Sequence, residues 1–297
     1  MGNLAKIAIR WTRVVHRMFS AARYLDAVPP VDASLVPPQR LIDLGAVHNF
    51  RDLGGYTTAG GQRVRWRRLF RADGLDRLTS ADLDLLRPFG LRTVIDLRSA
   101  GEIDERGRFP FERYPVTFHH LAVIDTTRNT DDAEARTIFM EAASDPTRVV
   151  EFLTNAYNHM LERGGDKLAD GIRLLAEPDA LPAVFHCAAG KDRTGLLAGI
   201  LLSGLGVADD QVVEDYALSG GAFDRTRAWA DINKPELVEW MDSVPTSLQG
   251  AHPDAMRHVL QQLRDDHGGA RGFVAGFGVG DDVWDRLASE LLEDACA

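Results

Sequence analysis

Hydrophobic positions change spacing several times along this chain, and each spacing predicts a different element. Leu4, Ile7, Trp11, Val14, Val15, Met18, Ala22 and Leu25 recur at helical intervals, interleaved with Lys6, Arg10, Arg13, Arg17 and Arg23. That pattern predicts a basic amphipathic helix. Pro29-Pro30 and Pro37-Pro38 mark residues 26–45 as a linker into the body, with the domain boundary set at 40/41 and one domain expected over 41–297. The turn Thr58-Ala59-Gly60-Gly61 precedes a strand-like run from Gln62 to Arg71, which predicts a hairpin. Thr93–Leu97, Val116–Val123 and Pro182–His186 read as short buried strands. Helices are expected from Ser80, as N-cap, to about Pro88–Gly90, and from Asp145-Pro146 to a stop at Gly164-Gly165. A further helix is expected over Leu168–Ala176.

Thr194 to Leu205 is apolar almost all round, as a buried helix should be. Beyond Gly220-Gly221 the pattern is helical only, over Pro235–Asp242, Pro253–Asp266 and Asp281–Asp294. Strands separated by helices predict an α/β fold, a central sheet flanked by helices, with ligand at the carboxyl ends of the strands. Residues 220–268 read as a lid-like helical insertion on that fold.

Charge narrows the picture. The net charge of −10 repels nucleic acid, so any phosphate affinity must come from a local basic site. Two cysteines, Cys187 and Cys296, make no disulfide framework. No run of about 18 apolar residues exists to span a membrane. Arginines interrupt every candidate signal-peptide core, and Lys6 stands where myristoylation needs Ser or Thr. The expected location is cytoplasmic, or secreted without a recognisable signal peptide. The N-terminal helix either packs on the domain or makes peripheral contact with an anionic membrane surface.

The chemistry concentrates in one stretch, Val184-Phe185-His186-Cys187-Ala188-Ala189-Gly190-Lys191-Asp192-Arg193-Thr194-Gly195. A loop from a strand to a helix N-terminus gathers backbone N–H groups around one point and makes an anion cradle. A cysteine at its start is surrounded by the donors that favour a thiolate. Arg193 can hold two phosphoryl oxygens bidentately. Ala188, Ala189 and Gly190 are small enough to let backbone approach a ligand, and Lys191, Asp192 and Thr194 complete the phosphate-binding loop. The Thr194 hydroxyl is placed to hydrogen-bond the Cys187 sulfur. His186 is read as orienting the loop, since an ionised thiol needs no base.

HCAAGKDRTG resembles the signature loop of the cysteine-dependent protein tyrosine phosphatases. NFRDLGGY (Asn49–Tyr56) and VIDLRSAGEIDE (Val94–Glu105) are similar to further motifs of the bacterial tyrosine/serine phosphatase family. The resemblance runs from about Leu41 to Leu292. It implies a single phosphatase domain, a thiophosphate intermediate at Cys187, phosphate clamping by Arg193, and neither metal nor cofactor. The implied substrates are phosphoproteins, chiefly phosphotyrosine with phosphoserine/threonine, and phosphoinositides as an alternative for which Lys191 is the pertinent residue. A phospho-ligand-binding pseudophosphatase is a third reading, opposed by the intact Cys187, Arg193 and Thr194. The family assigns general acid catalysis to an Asp inside the loop, which matches Asp192; Asp125 is the rival. Arg51, Asp52, Asp96 and Arg98 lie in family motifs and are read as braces. Arg63, Arg65, Arg67 and Arg68 are read as a solvated strand face.

Overall fold

The computed structural model describes residues 39–123, 145 and 147–295. The basic N-terminal helix, Asp125 and Cys296 lie outside the described residues. The strands are β1 (Arg51–Asp52), β2 (Gln62–Val64), β3 (Leu69–Ala72), β4 (Thr93–Asp96), β5 (Thr117–His120), β6 (Ala183–His186) and β7 (Leu292–Asp294). One sheet has the order β1-β3-β6-β4-β5; its last four strands run parallel and β1 pairs antiparallel with β3. Around it stand α1 (Ser80–Leu86), α2 (Ala100–Arg106), α3 (Val149–Leu175), α4 (Asp192–Gly204) and α5 (Asp209–Ala217). The chain continues through α6 (Gly220–Asn233), α7 (Pro235–Ser243), α8 (Thr246–Gln249), α9 (Pro253–His267), α10 (Ala270–Ala275) and α11 (Asp281–Leu291). No described helix is long and apolar enough to cross a membrane.

The three inner strands are buried on both faces, which explains why they read as continuous apolar runs. Alternate side chains serve two cores. Leu69, Ile95 and Phe185 face the larger one, shared with α3, α4 and α9. Phe70, Val94 and Val184 face the smaller, closed by Leu83 and Leu86 of α1. Each such fully buried side chain stabilises the fold by about 1.5–3 kcal/mol. The register sets Ala72 and Asp96 on either side of His186, so β3, β6 and β4 end at one level. The residues that follow, Asp73, Leu97 and Cys187, therefore emerge at a single edge.

Several local expectations are corrected. The expected hairpin is split: β2 leaves the main sheet and pairs with β7, while β3 enters the sheet centre. Arg67, at φ 63°, turns the chain between them. Leu292–Asp294 is strand rather than the end of a helix, because pairing with β2 satisfies its backbone and lets Arg63 meet Glu293 at 2.9 Å. Arg68 likewise pairs with Glu290, so these arginines clasp the chain's C-terminal segment. Gly164-Gly165 does not stop α3, which is continuous through it. A Cβ on Gly165 would lie 2.5 Å from the Phe277 ring, and one on Gly164 would lie 2.9 Å from Val123. The glycines serve packing, not termination. Thr79, not Ser80, caps α1, in a reciprocal box with Asp82. Leu44, Ala46 and Val47 are buried, so the segment from residue 40 belongs to the body.

Candidate active site

The loop between β6 and α4 is held from outside. Its carbonyls are taken in turn by three neighbours. The Gly74 amide donates to Ala188 O at 3.0 Å, Asn49 Nδ2 to Ala189 O at 2.9 Å, and Arg71 Nη2 to Gly190 O at 2.6 Å. A trans peptide points its C=O and the following N–H in opposite directions. Drawing these carbonyls outward turns the amides of Ala189, Gly190 and Lys191 toward the loop interior, where an anion would sit. Gly190 has φ 65°, and a Cβ there would lie 2.4 Å from Ala72 O. Only glycine fits that position.

Cys187 stands at the start of this ring, 2% exposed. His186 is fully buried, with Nε2 3.5 Å from Asp96 Oδ2. Burial holds its pKa below the ordinary value despite Asp96, so it is neutral at pH 7 and does not charge the loop. Arg98 binds Asp96 through Nε and Nη2 and reaches Asp76 with Nη1, as befits braces. Thr194 Oγ1 is buried with no hydrogen-bond partner among the described residues, so its expected bond to the sulfur is not made.

Arg193 is 2% exposed and engaged end-on by Glu102, with Nη1–Oε2 2.6 Å and Nη2–Oε1 2.8 Å. This fixes the guanidinium plane while occupying two of the five N–H donors that an arginine carries. Burial opposes ionisation of Glu102, but Arg193 and the Ser99 amide and hydroxyl outweigh it and hold the carboxyl down at about 2. Glu102 also completes the capping box of α2 with Ser99. The sequence signal for it was that Ser-x-x-Glu spacing, which indicates a helix start but not a reach to residue 193.

Further residues of the site come from elsewhere in the chain. Asp215 of α5 lies between Arg51, at 2.9 Å, and Arg71, at 2.6 Å. Burial and the charge of Arg51 lower the Arg71 pKa to about 10, against the pull of Asp215 and Cys187, which leaves it charged at neutral pH. Asp192 opens α4 and accepts a 2.6 Å hydrogen bond from the Tyr157 hydroxyl. Lys191 Nζ donates at 2.9 Å to both Leu248 O and Gly250 O, on the α8 stretch, and stands 3.7 Å from Asp192 Oδ1. On the same side, Arg225 of α6 donates to His48 O, and the Trp229 ring lies 5.9 Å from that of His48. Of the sequence-predicted residues, 187–194 are therefore brought together.

A sequence profile of the tyrosine phosphatase family matches residues 42–293. Over 173 residues the chain is 36% identical to a protein of Cupriavidus necator named as a tyrosine-protein phosphatase; the alignment takes in 57% of this chain and 59% of that protein. It is 27% identical over 280 residues to the triple specificity protein phosphatase PtpB of Mycobacterium tuberculosis, covering 84% of this chain and 98% of PtpB. A tyrosine-protein phosphatase of Nostoc commune is 27% identical over 225 residues, or 74% of this chain and 73% of the other.

Proposed function

The chain belongs to the tyrosine phosphatase family, and on that premise we propose that it hydrolyses phosphotyrosine esters in proteins through a cysteinyl-phosphate at Cys187. The observation that carries this reading is the loop itself, with its carbonyls captured outward around a buried cysteine and a fixed arginine. In the first step Cys187 Sγ forms a bond to phosphorus and the P–O ester bond breaks. The bonding pair stays on the ester oxygen, which takes the proton of Asp192. Water then attacks phosphorus, the S–P bond breaks, and the Asp192 carboxylate accepts the water's proton. The amides of residues 189–191 and Arg193 stabilise the equatorial oxygens throughout, an electrostatic role that is commonly the largest in such sites.

Phosphoserine and phosphothreonine fall within the same chemistry. A phosphoinositide is the second reading, and Lys191 is the residue that favours it. Two neutral carbonyls hold its ammonium, and a further phosphate group would be a stronger partner for it. The triple specificity in PtpB's name fits this breadth. Membrane contact through the basic segment of residues 1–25 would serve this second reading. Residues 220–250 are proposed as the cover of the site, through Arg225, Trp229 and the carbonyls on Lys191. Helix α9 is not part of that cover, since Ala255, Met256, Val259, Leu260 and Leu263 are core residues.

The test is phosphate release from a phosphotyrosine peptide and from a phosphoinositide, side by side. Cys187→Ser is expected to abolish turnover of both while still binding the peptide, and Arg193→Ala to lose turnover and binding together. Near-normal turnover by Cys187→Ser would overturn the nucleophile assignment.

A further inference from the structure

Two buried tyrosines stand behind the loop, and neither bonds to substrate in the proposed reaction. Tyr157, on α3, places its hydroxyl 2.6 Å from Asp192 Oδ1 and 2.6 Å from the hydroxyl of Tyr216, on α5. Both rings are almost inaccessible, at 0% and 1% exposure. Room for Tyr216 is made by Gly195, the last residue of the signature loop, where a Cβ would lie 3.0 Å from Tyr216 Cδ2. The glycine after Arg-Thr thus admits a ring that leads back to the Asp of the same loop.

A phenol has one proton to donate. Tyr157 donates its one proton to Asp192 Oδ1, so in its contact with Tyr216 it can only accept, and the Tyr216 proton is directed at Tyr157. The run is Tyr216 to Tyr157 to Asp192, with both donors pointing the same way. Oδ1 is therefore an acceptor, and it is also the oxygen that faces the Lys191 ammonium at 3.7 Å. A carboxyl whose Oδ1 accepts carries its proton on Oδ2.

We propose that Tyr157, backed by Tyr216, is a positioning residue for the general acid: it reserves Asp192 Oδ1 as an acceptor, so that the transferable proton resides on Oδ2. The inference rests on the reading of Asp192 as the acid. When the proton passes to the ester oxygen, the Tyr157 hydroxyl keeps its own proton and stabilises the carboxylate left behind. The charged and titratable groups facing Asp192 among the described residues are Lys191 from the loop, Tyr157 from α3 and Tyr216 from α5. Arg71 of β3, which shares Asp215 with Arg51, stands behind Tyr216. Burial and the charge of Asp192 keep both phenols protonated far above neutral pH, at Tyr216 against the hydrogen bond with Tyr157, so neither titrates in the working range. The relay stays polarised across that range.

The experiment compares kcat/KM against pH for the full chain and for Asp192→Asn, Tyr157→Phe and Tyr216→Phe. The two probes are phenyl phosphate, whose leaving group needs a proton, and p-nitrophenyl phosphate, whose leaving group does not. A hydrogen bond to a charged group is typically worth about 1.5–3 kcal/mol, or roughly one to two pH units at about 1.36 kcal/mol per unit. Tyr157→Phe is expected to move the basic limb for phenyl phosphate upward by about one unit, since Asp192 loses a donor to its charged form. At the plateau it should lower phenyl phosphate turnover about tenfold or more, while p-nitrophenyl phosphate changes little. Tyr216→Phe should act in the same direction and more weakly, and it carries the test alone should Tyr157→Phe fail to fold. A merely structural role would depress both substrates together and leave the limb in place. That result, beside a leaving-group-selective loss in Asp192→Asn, overturns the tyrosine assignment alone. An equal loss on both substrates in Asp192→Asn removes the acid assignment and the inference with it.

Discussion

Asp215 offers the sharpest test of how this fold is held behind its reactive loop. It is 1% exposed and lies between two arginines that are 1% and 0% exposed. Arg51 reaches it with Nε at 2.9 Å and donates from Nη2 to its backbone carbonyl at 2.8 Å. Arg71 reaches it with Nη1 at 2.6 Å, and Tyr56 Oη adds a 3.1 Å bond. Burial opposes ionisation, but Arg51 and Arg71 outweigh it and hold the carboxyl well below the ordinary carboxylate range. Asp215→Asn keeps the shape and removes the charge. Two guanidinium groups are then left in the interior without their anion, and the new amide N–H₂ faces donors.

Breaking one buried ion pair costs about 3–5 kcal/mol, and a carboxylate shared by two arginines belongs at the upper end, about 4–5 kcal/mol. For a domain of this size about 1 kcal/mol corresponds to roughly 2–4 °C, so Tm should fall by roughly 8–20 °C. The measurement is urea and thermal unfolding of both proteins, with equal urea slopes to certify the comparison. The sign with pH is fixed as well. A carboxyl with a depressed folded pKa stabilises above its unfolded value of about 3.9 and loses that contribution as pH falls through the folded value. The deficit of the variant should therefore be level from about pH 5 to 8 and shrink only in strong acid. Because Arg71 also holds Gly190 O, kcat/KM should fall even where the variant is folded. A loss below about 1 kcal/mol would refute the reasoning, since it would mean the arginines find water or other acceptors unaided.

Glu102→Gln removes the partner of Arg193. Its folded pKa of about 2 lies below the ordinary value of 4.5, so its contribution is present above about 4.5 and is lost as pH falls toward about 2. The stability gap between wild type and Glu102→Gln, read by thermal unfolding, should close over that window; a gap independent of pH down to 2 would show that the ion pair contributes nothing. Replacing residues 223–243 by a short linker, in a variant shown to be folded, should speed peroxide inactivation of Cys187 if the α6–α7 hairpin covers the site. Equal inactivation rates in the two proteins would remove the cover from the account.

The stretch from Val184 to Gly195 was legible as a site because its chemistry is local. A buried strand, a cysteine, small residues and an arginine at a helix start make an anion loop through backbone geometry that neighbours in sequence dictate. The α/β class was legible for the same reason, from the apolar runs Thr93–Leu97 and Pro182–His186. Where sequence reading failed, local preference met a distant partner. Gly164-Gly165 has the look of a helix stop, yet Val123 and Phe277 pack against it and the helix continues. Leu292–Asp294 continues a helical pattern, yet β2 offers it an open edge. Glu102, Tyr157 and Asp215 carry no motif that announces their roles, because each acts on a residue 91, 35 or 144 positions away. Sequence determined that Cys187, Asp192 and Arg193 would share one loop, since that is set by neighbours along the backbone. The tertiary structure alone decided which carboxylate meets Arg193 and which hydroxyl meets Asp192, because those pairings exist only after separate helices have packed on the sheet.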